Sequence, residues 1–208
     1  MEDVLDVYTR PYDPRYPVVC MDETSKQLVE ETRKPLPLRP GHPQSYDYEY
    51  ERNGVSNLFI CCEPLQGRRH IKVTDHRTKL DWAYFMRDVV DVFYPDAVCI
   101  RLVLDNLNTH KPSSFYEAFE PTEAKRILER IEFHYTPKHG SWLNIAEIEL
   151  SVLSRQCLNQ RIPNKESLEQ QVAAWEAQRN TKGSKVDWRF TTVDARIKLK
   201  RLYPSIPT

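Results

Sequence analysis

Residues 97–105 read AVCIRLVLD, an apolar run broken only by Arg101 and closed by Asp105. A strand with one wet face alternates apolar and polar side chains, whereas a strand covered on both faces is apolar throughout. A chain containing such a segment therefore needs a sheet with helices packed on both sides.

The flanking sequence supplies those helices. Thr78 with Asp81 three residues on has the form of a capping box, and Trp82, Met86, Val89 and Phe93 follow on one stripe until Pro95. Helical patterns recur over 112–119 and 122–130, in SWLNIAEIELSVLSRQCL (141–158) and in NKESLEQQVAAWEAQRN (164–180). IEFHY (131–135) reads as a short strand. RRHIKVTDH (68–76) reads as another, with Ile71 and Val73 on one face. Further upstream, YPVVCMDET holds an apolar strand, Val18 to Met21, that stops on Asp22 and Glu23. Tyr46, Tyr48 and Tyr50 alternate with charges, and Asn53-Gly54 between β-prone runs predicts a two-residue hairpin turn. Four prolines and a glycine within 33–45 predict a loop. The order is strand, hairpin, strand, helix, strand, helix, strand, helix, helix. It predicts an α/β domain with a mixed five-stranded sheet, antiparallel at first and then returning by crossovers.

A chain of 208 residues supports one sizeable core. Residues 1–17, with three prolines and no sustained period, read as an N-terminal arm or linker; 18–180 form the domain, and 181–208 a basic helical extension. Lys plus Arg and Asp plus Glu are equal at 30 each, so net charge neither requires nor excludes a polyanionic partner. Cys20, Cys61, Cys62, Cys99 and Cys157 are odd in number and lack CxxC spacing, which predicts free thiols in a reducing compartment. With no signal core and no apolar stretch of membrane-spanning length, the reading is of a cytoplasmic protein.

Asp22 and Asp105 both end apolar runs, and side chains at strand ends are where α/β sheets collect function. Were the two strands neighbours, the carboxylates would repel unless a cation lay between them, and Mg²⁺ with its oxygen ligands is the natural one. The plain alternative is that each Asp merely forms a turn. A third carboxylate is available on the 141–158 helix, as Glu147 or Glu149. Both border the stripe of Leu143, Ala146, Leu150, Leu153 and Cys157, so helical phase does not choose between them.

VVCMDET, LVLDNLNTH and HYTPKHGSWLNIAEIE, in that order, resemble the catalytic domain of DDE transposases, specifically the mariner-like superfamily in its bacterial insertion-sequence branch. WRFTTVDARIKLKRLYP near the C-terminus is similar to the closing segment of such elements, so the resemblance covers about residues 17–203. It implies a ribonuclease H-like fold and assigns Asp22, Asp105 and Glu147 as catalytic metal ligands, with Glu147 falling on the Glu of LNIAE. The third motif departs from a common form: Ile145 and KHGSW stand where that form has proline after the asparagine and tyrosine-serine-proline before it.

The resemblance implies two Mg²⁺ ions, with Mn²⁺ as substitute, clamping the attacking and leaving oxygens of a phosphodiester displacement. Water would free a 3'-hydroxyl at the element end, and that hydroxyl would attack target DNA. Asn106, Asn108 and His110 are expected around Asp105, and His110 can equally be a helix-start histidine satisfied by backbone. Arg68, Arg69, Lys72, Lys138 and His139 are candidate DNA contacts, as is the cluster Arg196, Lys198, Lys200 and Arg201, though charge runs are usually solvated faces. Trp142 is assigned to packing ahead of base stacking. The partners implied are double-stranded DNA (terminal inverted repeats and target), a second copy in the DNA complex, and an N-terminal helix-turn-helix module or reading frame, for which 17 leading residues leave no room. The rival readings are a ribonuclease H-like nuclease without strand transfer and an inactive remnant serving only as an interaction domain.

Overall fold

The computed structural model describes residues 1–33, 40, 41 and 48–203. Tyr46 and most of the proline-rich stretch fall outside them. Five strands form one sheet: β1 (Val18–Glu31), β2 (Tyr50–Glu63), β3 (Arg68–Thr74), β4 (Ile100–Leu104) and β5 (Ile131–Tyr135). Their order across the sheet is β3-β2-β1-β4-β5. β1–β2 and β2–β3 are antiparallel, while β4 and β5 run parallel to β1. This is the mixed sheet expected from the sequence.

The helices are α1 (Glu2–Thr9), α2 (Lys79–Asp88), α3 (Ser113–Ala118), α4 (Pro121–Leu128), α5 (Ile145–Leu153), α6 (Lys165–Lys182) and α7 (Thr192–Lys198). Thr78 and Asp81 form the capping box at the start of α2, as expected. The apolar alternation of the sheet separates two cores. Val19, Met21, Phe59, Leu102 and Leu104 face α2, α3 and α4 on one side. Val18, Cys20, Ile60, Cys62 and Val103 face α5 and α6 on the other, so β4 is buried on both faces. Among the described residues, no helix is long and apolar enough to cross a membrane.

Three elements depart from the sequence reading. Residues 2–9 are helical rather than an arm, and Val4, Leu5 and Val7 are fully buried in the α5-side core. An eight-residue helix with no side-chain N-cap gives too few turns to show a period. Residues 183–203 are likewise part of the same unit: Ala195 on α7 is fully buried in that core, and Val186, Trp188 and Phe190 pack against it. Asn53-Gly54 is not a hairpin turn. β2 runs straight through it, and the pairing steps from Gln27↔Val55 to Val29↔Arg52, so both residues oppose Leu28 as a β-bulge. Gly54, at φ 88°, supplies the left-handed residue the bulge needs. Asn53 donates to Glu30 Oε2 at 2.8 Å and to Pro163 O at 3.0 Å, which fixes the bulged strand against the chain leading to α6.

Candidate active site

Parallel pairing of β1 with β4 ends at Cys20↔Val103. Two residues further along each chain stand Asp22 and Asp105, side by side where the two strands part. Period-two alternation puts both on the face of Cys20 and Val103, the face covered by α5. Asp22 does not end its strand, as the sequence suggested; β1 continues to Glu31 paired with β2 alone. What stops at Asp22 is the second neighbour, and the carboxylate occupies the gap so opened.

α5 is tied to this gap at its first residue. Asn144 is fully buried; its Oδ1 accepts from Ala146 N at 3.1 Å as the N-cap, while Nδ2 donates to Met21 O at 2.8 Å and lies 3.4 Å from Asp22 Oδ2. Tyr8 on α1 adds a second tie, its hydroxyl donating to Leu143 O at 2.7 Å and accepting from Ile145 N at 3.3 Å. Neither residue was singled out from sequence. Asn144 left a signal in the asparagine preceding an apolar helical run; Tyr8 left none, because its partner lies 135 residues away.

Tertiary packing gives the two glutamates on α5 different surroundings. Glu149 is 1% exposed and accepts from Arg69 (Nε to Oε2 2.8 Å, Nη2 to Oε1 2.9 Å) and from Arg179 (Nε to Oε2 3.1 Å, Nη2 to Oε1 3.0 Å). Burial opposes its charge, yet the hydrogen bonds from Arg69 and Arg179 outweigh that and hold its carboxyl below the usual range. Glu147, in the first turn of α5, is exposed and acts electrostatically on Asp22.

Asp22 is pushed up to about 7, first by burial and then by the negative charges of Glu147, Glu23 and Asp105, while the backbone bond from Glu23 N, 2.8 Å, acts the other way. Asp105 Oδ1 lies 2.5 Å from His110 Nδ1, and His110 Nε2 sits 3.0 Å from Glu23 Oε2 without hydrogen-bond alignment. His110 is 1% exposed. Burial disfavours its charged form, but Asp105 and Glu23 reverse the sign and raise its pKa to about 9. Tyr135 donates to His110 O at 2.8 Å and anchors the turn. Asn106 accepts from Lys111, and Asn108 is exposed; neither is bonded to the three carboxylates.

Among the described residues, no three His, Cys, Asp or Glu side chains are already gathered into a metal-holding group. Asp105 is turned toward His110 instead. The donor chemistry nevertheless fits a hard divalent cation: Asp22, Asp105 and Glu147 offer carboxylate oxygens, and the negative charges of Glu147 and Asp105 act on Asp22, a repulsion that a cation would relieve.

The basic residues sort differently from their sequence reading. Arg69 is 2% exposed and spent on Glu149, Gly67 O and Ser184 O, so it is no DNA contact. A guanidinium next to an apolar strand was legible as basic but not as buried. Lys72 pairs with Asp88 of α2 at 2.5 Å, on the sheet face away from Asp22. Arg68 is exposed but opens β3, at the end of the sheet opposite Asp105. Lys138 and His139 are exposed on the loop that leads into α5. Arg196 is paired with Glu2 and Lys198 with Asp194, whereas Lys200 and Arg201 are exposed. Trp142, assigned to packing, is 46% exposed.

Residues 17–169 match the family model described as DDE superfamily endonuclease. Among solved structures, the chain is similar to a Mos1 transposase paired-end complex with the left transposon end, with a TM-score of 0.58 and 15% identity over 86% of this chain and 54% of that one. It is similar also to the Mos1 strand transfer complex, with a TM-score of 0.57 and 15% identity over 87% and 54%. A Mos1 mariner paired-end complex with Mn gives a TM-score of 0.55 and 16% identity over 87% and 56%. The chain thus spans about half the length of the solved proteins it matches, and at these identities the likeness concerns the fold. No curated protein matches it by sequence. With three quarters of its length in the family model and the ribonuclease H-like sheet beneath it, the chain belongs to the DDE superfamily of endonucleases.

Proposed function

We propose that this chain is the catalytic domain of a DNA transposase, cutting DNA at an element end and joining the freed 3'-hydroxyl to target DNA. The observation that carries the reading is the placement of Asp22 and Asp105 where β1 and β4 part, with Asp22 pushed up to about 7 by burial and then by the charges of Glu147, Glu23 and Asp105. A carboxyl perturbed by burial and by neighbouring like charges marks a functional-site candidate, and a bound cation would relieve the repulsion.

Asp22, Asp105 and Glu147 are the residues proposed to hold divalent cations, Mg²⁺ or Mn²⁺. When bound, such ions neutralise the phosphodiester and lower the pKa of the attacking water or hydroxyl. The chain's own groups have separate tasks. His110 holds Asp105 by its Nδ1 edge and is itself fixed by Glu23 and Tyr135, so Asp105 is released to the site at the cost of one hydrogen bond. Asn144 and Tyr8 set the first turn of α5, and with it the position of Glu147. Lys138 and His139 extend from the rim, where phosphate contacts are wanted. Asn106 and Asn108 are proposed to order water beside Asp105. The partners in this reading are double-stranded DNA with terminal inverted repeats, target DNA, a second copy of the chain, and a helix-turn-helix module supplying sequence recognition.

The test is a joining assay. A labelled duplex with a pre-cut 3'-hydroxyl end is incubated with supercoiled plasmid, the chain and Mn²⁺. Joined product from the wild type and none from Asp105→Asn is expected. Nicking without joining would make the protein a hydrolytic nuclease; full activity in Asp105→Asn would falsify the metal-site assignment.

A further inference from the structure

Trp142 is a large aromatic left 46% exposed, one turn before the helix that bears Glu147. It lies two residues before Asn144, whose side chain reaches Asp22, so their Cα atoms are at most about 7.6 Å apart. The ring is held from behind. Trp188 stacks on it at 6.5 Å between centroids and 22° between planes, and Phe190 meets it edge-on at 5.8 Å. Trp188 is itself fixed, by Nε1 donating to Phe190 O at 2.8 Å and by the ring of Tyr8 at 5.2 Å. Trp142 also lines a cavity of about 220 Å³ together with Lys138, His139, Leu143 and Leu202.

Lys138 and His139, both exposed, line that cavity, and the exposed Lys200 and Arg201 immediately precede its Leu202 in sequence. The loop carrying the first pair is held in a costly shape. His139 has φ 64°, a left-handed conformation that favours glycine, and a side chain on Gly140 would come within 2.6 Å of Pro137 Cγ. A half-open indole backed by two aromatic rings, with Lys138 and His139 lining the same cavity, matches the general chemistry of single-strand binding, in which bases stack on aromatics and phosphates meet basic side chains.

We propose that Trp142 is a stacking platform for an unpaired nucleobase adjoining the scissile phosphate. This rests on the DNA-processing function proposed above and deepens it: the DNA end is engaged with at least one base out of the duplex, and Trp142 positions that base. Trp142 is a positioning residue, acting on the substrate's base rather than on the reacting phosphate.

The probes are two duplexes that differ only in whether the terminal nucleotides, labelled with 2-aminopurine, are unpaired or paired. Binding to the full chain is measured with EDTA present. The wild type should quench the unpaired label and bind that duplex more tightly than the paired one. Trp142→Ala should lose the quench and bind the unpaired end about tenfold more weakly, with the paired duplex unaffected. Trp142→Phe should keep most of both, and an unchanged melting temperature in both variants excludes misfolding. Wild-type quench and affinity in Trp142→Ala would overturn the platform. So would an absence of quench in a chain that cuts and joins DNA, and that outcome leaves the transposase reading standing; a chain that binds neither duplex and joins no DNA overturns both.

Discussion

Arg69 grips both carboxylate oxygens of Glu149, at 2.8 and 2.9 Å, with neither side chain more than 2% exposed. Two residues earlier on α5, Glu147 stands exposed beside Asp22. Removing one partner of a buried ion pair costs about 3–5 kcal/mol, because the other charge is left unpaired. Glu149→Gln is therefore expected to lower the melting temperature by about 10 °C, while Glu147→Gln leaves it nearly unchanged and abolishes metal-dependent cleavage. Thermal melts and cleavage assays on the two variants check the split; a stable, inactive Glu149→Gln would reverse the assignment.

Asp22 should be a liability to the fold and an asset to the reaction. Its folded pKa, about 7, lies above the ordinary 3.8, so ionising it costs stability progressively from about pH 4 to 7 and fully above that. Asp22→Asn is expected to raise the melting temperature of the metal-free protein by about 10 °C at pH 8, to do almost nothing at pH 4, and to eliminate activity. A destabilised Asp22→Asn at pH 8 would count against the electrostatic account.

Divalent cation binding should share that pH dependence. A ligand must lose its proton before it coordinates, so apparent affinity for Mn²⁺ is expected to rise about tenfold per pH unit up to about 7 and then level off. Isothermal titration between pH 5.5 and 8.5 would show this, and a flat profile would remove Asp22 from the ligand set.

His110 carries the opposite sign. Its folded pKa, about 9, lies above the ordinary 6.5, so the imidazolium between Asp105 and Glu23 stabilises the fold fully below pH 6.5 and loses that contribution as pH passes 9. Urea denaturation of His110→Gln should show a deficit against wild type at pH 6 that narrows by pH 10. A deficit constant across that range would mean that packing, not charge, is what His110 supplies.

The tie between α1 and α5 can be tested apart from the metal. Tyr8→Phe removes the hydroxyl that bonds Leu143 O and Ile145 N and is expected to cost about 1–2 kcal/mol of stability. If that hydroxyl positions Glu147, kcat falls more than tenfold while DNA affinity is unchanged. Unaltered kcat in a destabilised variant would confine Tyr8 to packing.

Long-period patterns were legible in the sequence. The two-faced burial of β4 followed from its unbroken apolar run, and the start of α2 from Thr78 and Asp81, because both are decided by neighbours within a few residues. Short or ambiguous signals misled: Asn53-Gly54 has the composition of a turn and of a bulge alike, and the eight residues of α1 are too few for a period. Arg69 looked like surface because a sequence reports a charge but not its partner, and Glu149 lies 80 residues away.

The sequence by itself determined the α/β order and the ordered set of Asp22, Asp105 and a glutamate on α5, since apolar periodicity and motif order are properties of the chain alone. The motif resemblance places Glu147 at the third position; what only the tertiary structure decided is the different surroundings of the two glutamates. Helical phase places Glu147 and Glu149 symmetrically on the borders of one stripe, and the asymmetry enters through β3 and α6, whose Arg69 and Arg179 neutralise Glu149 in the interior and leave Glu147 to face Asp22.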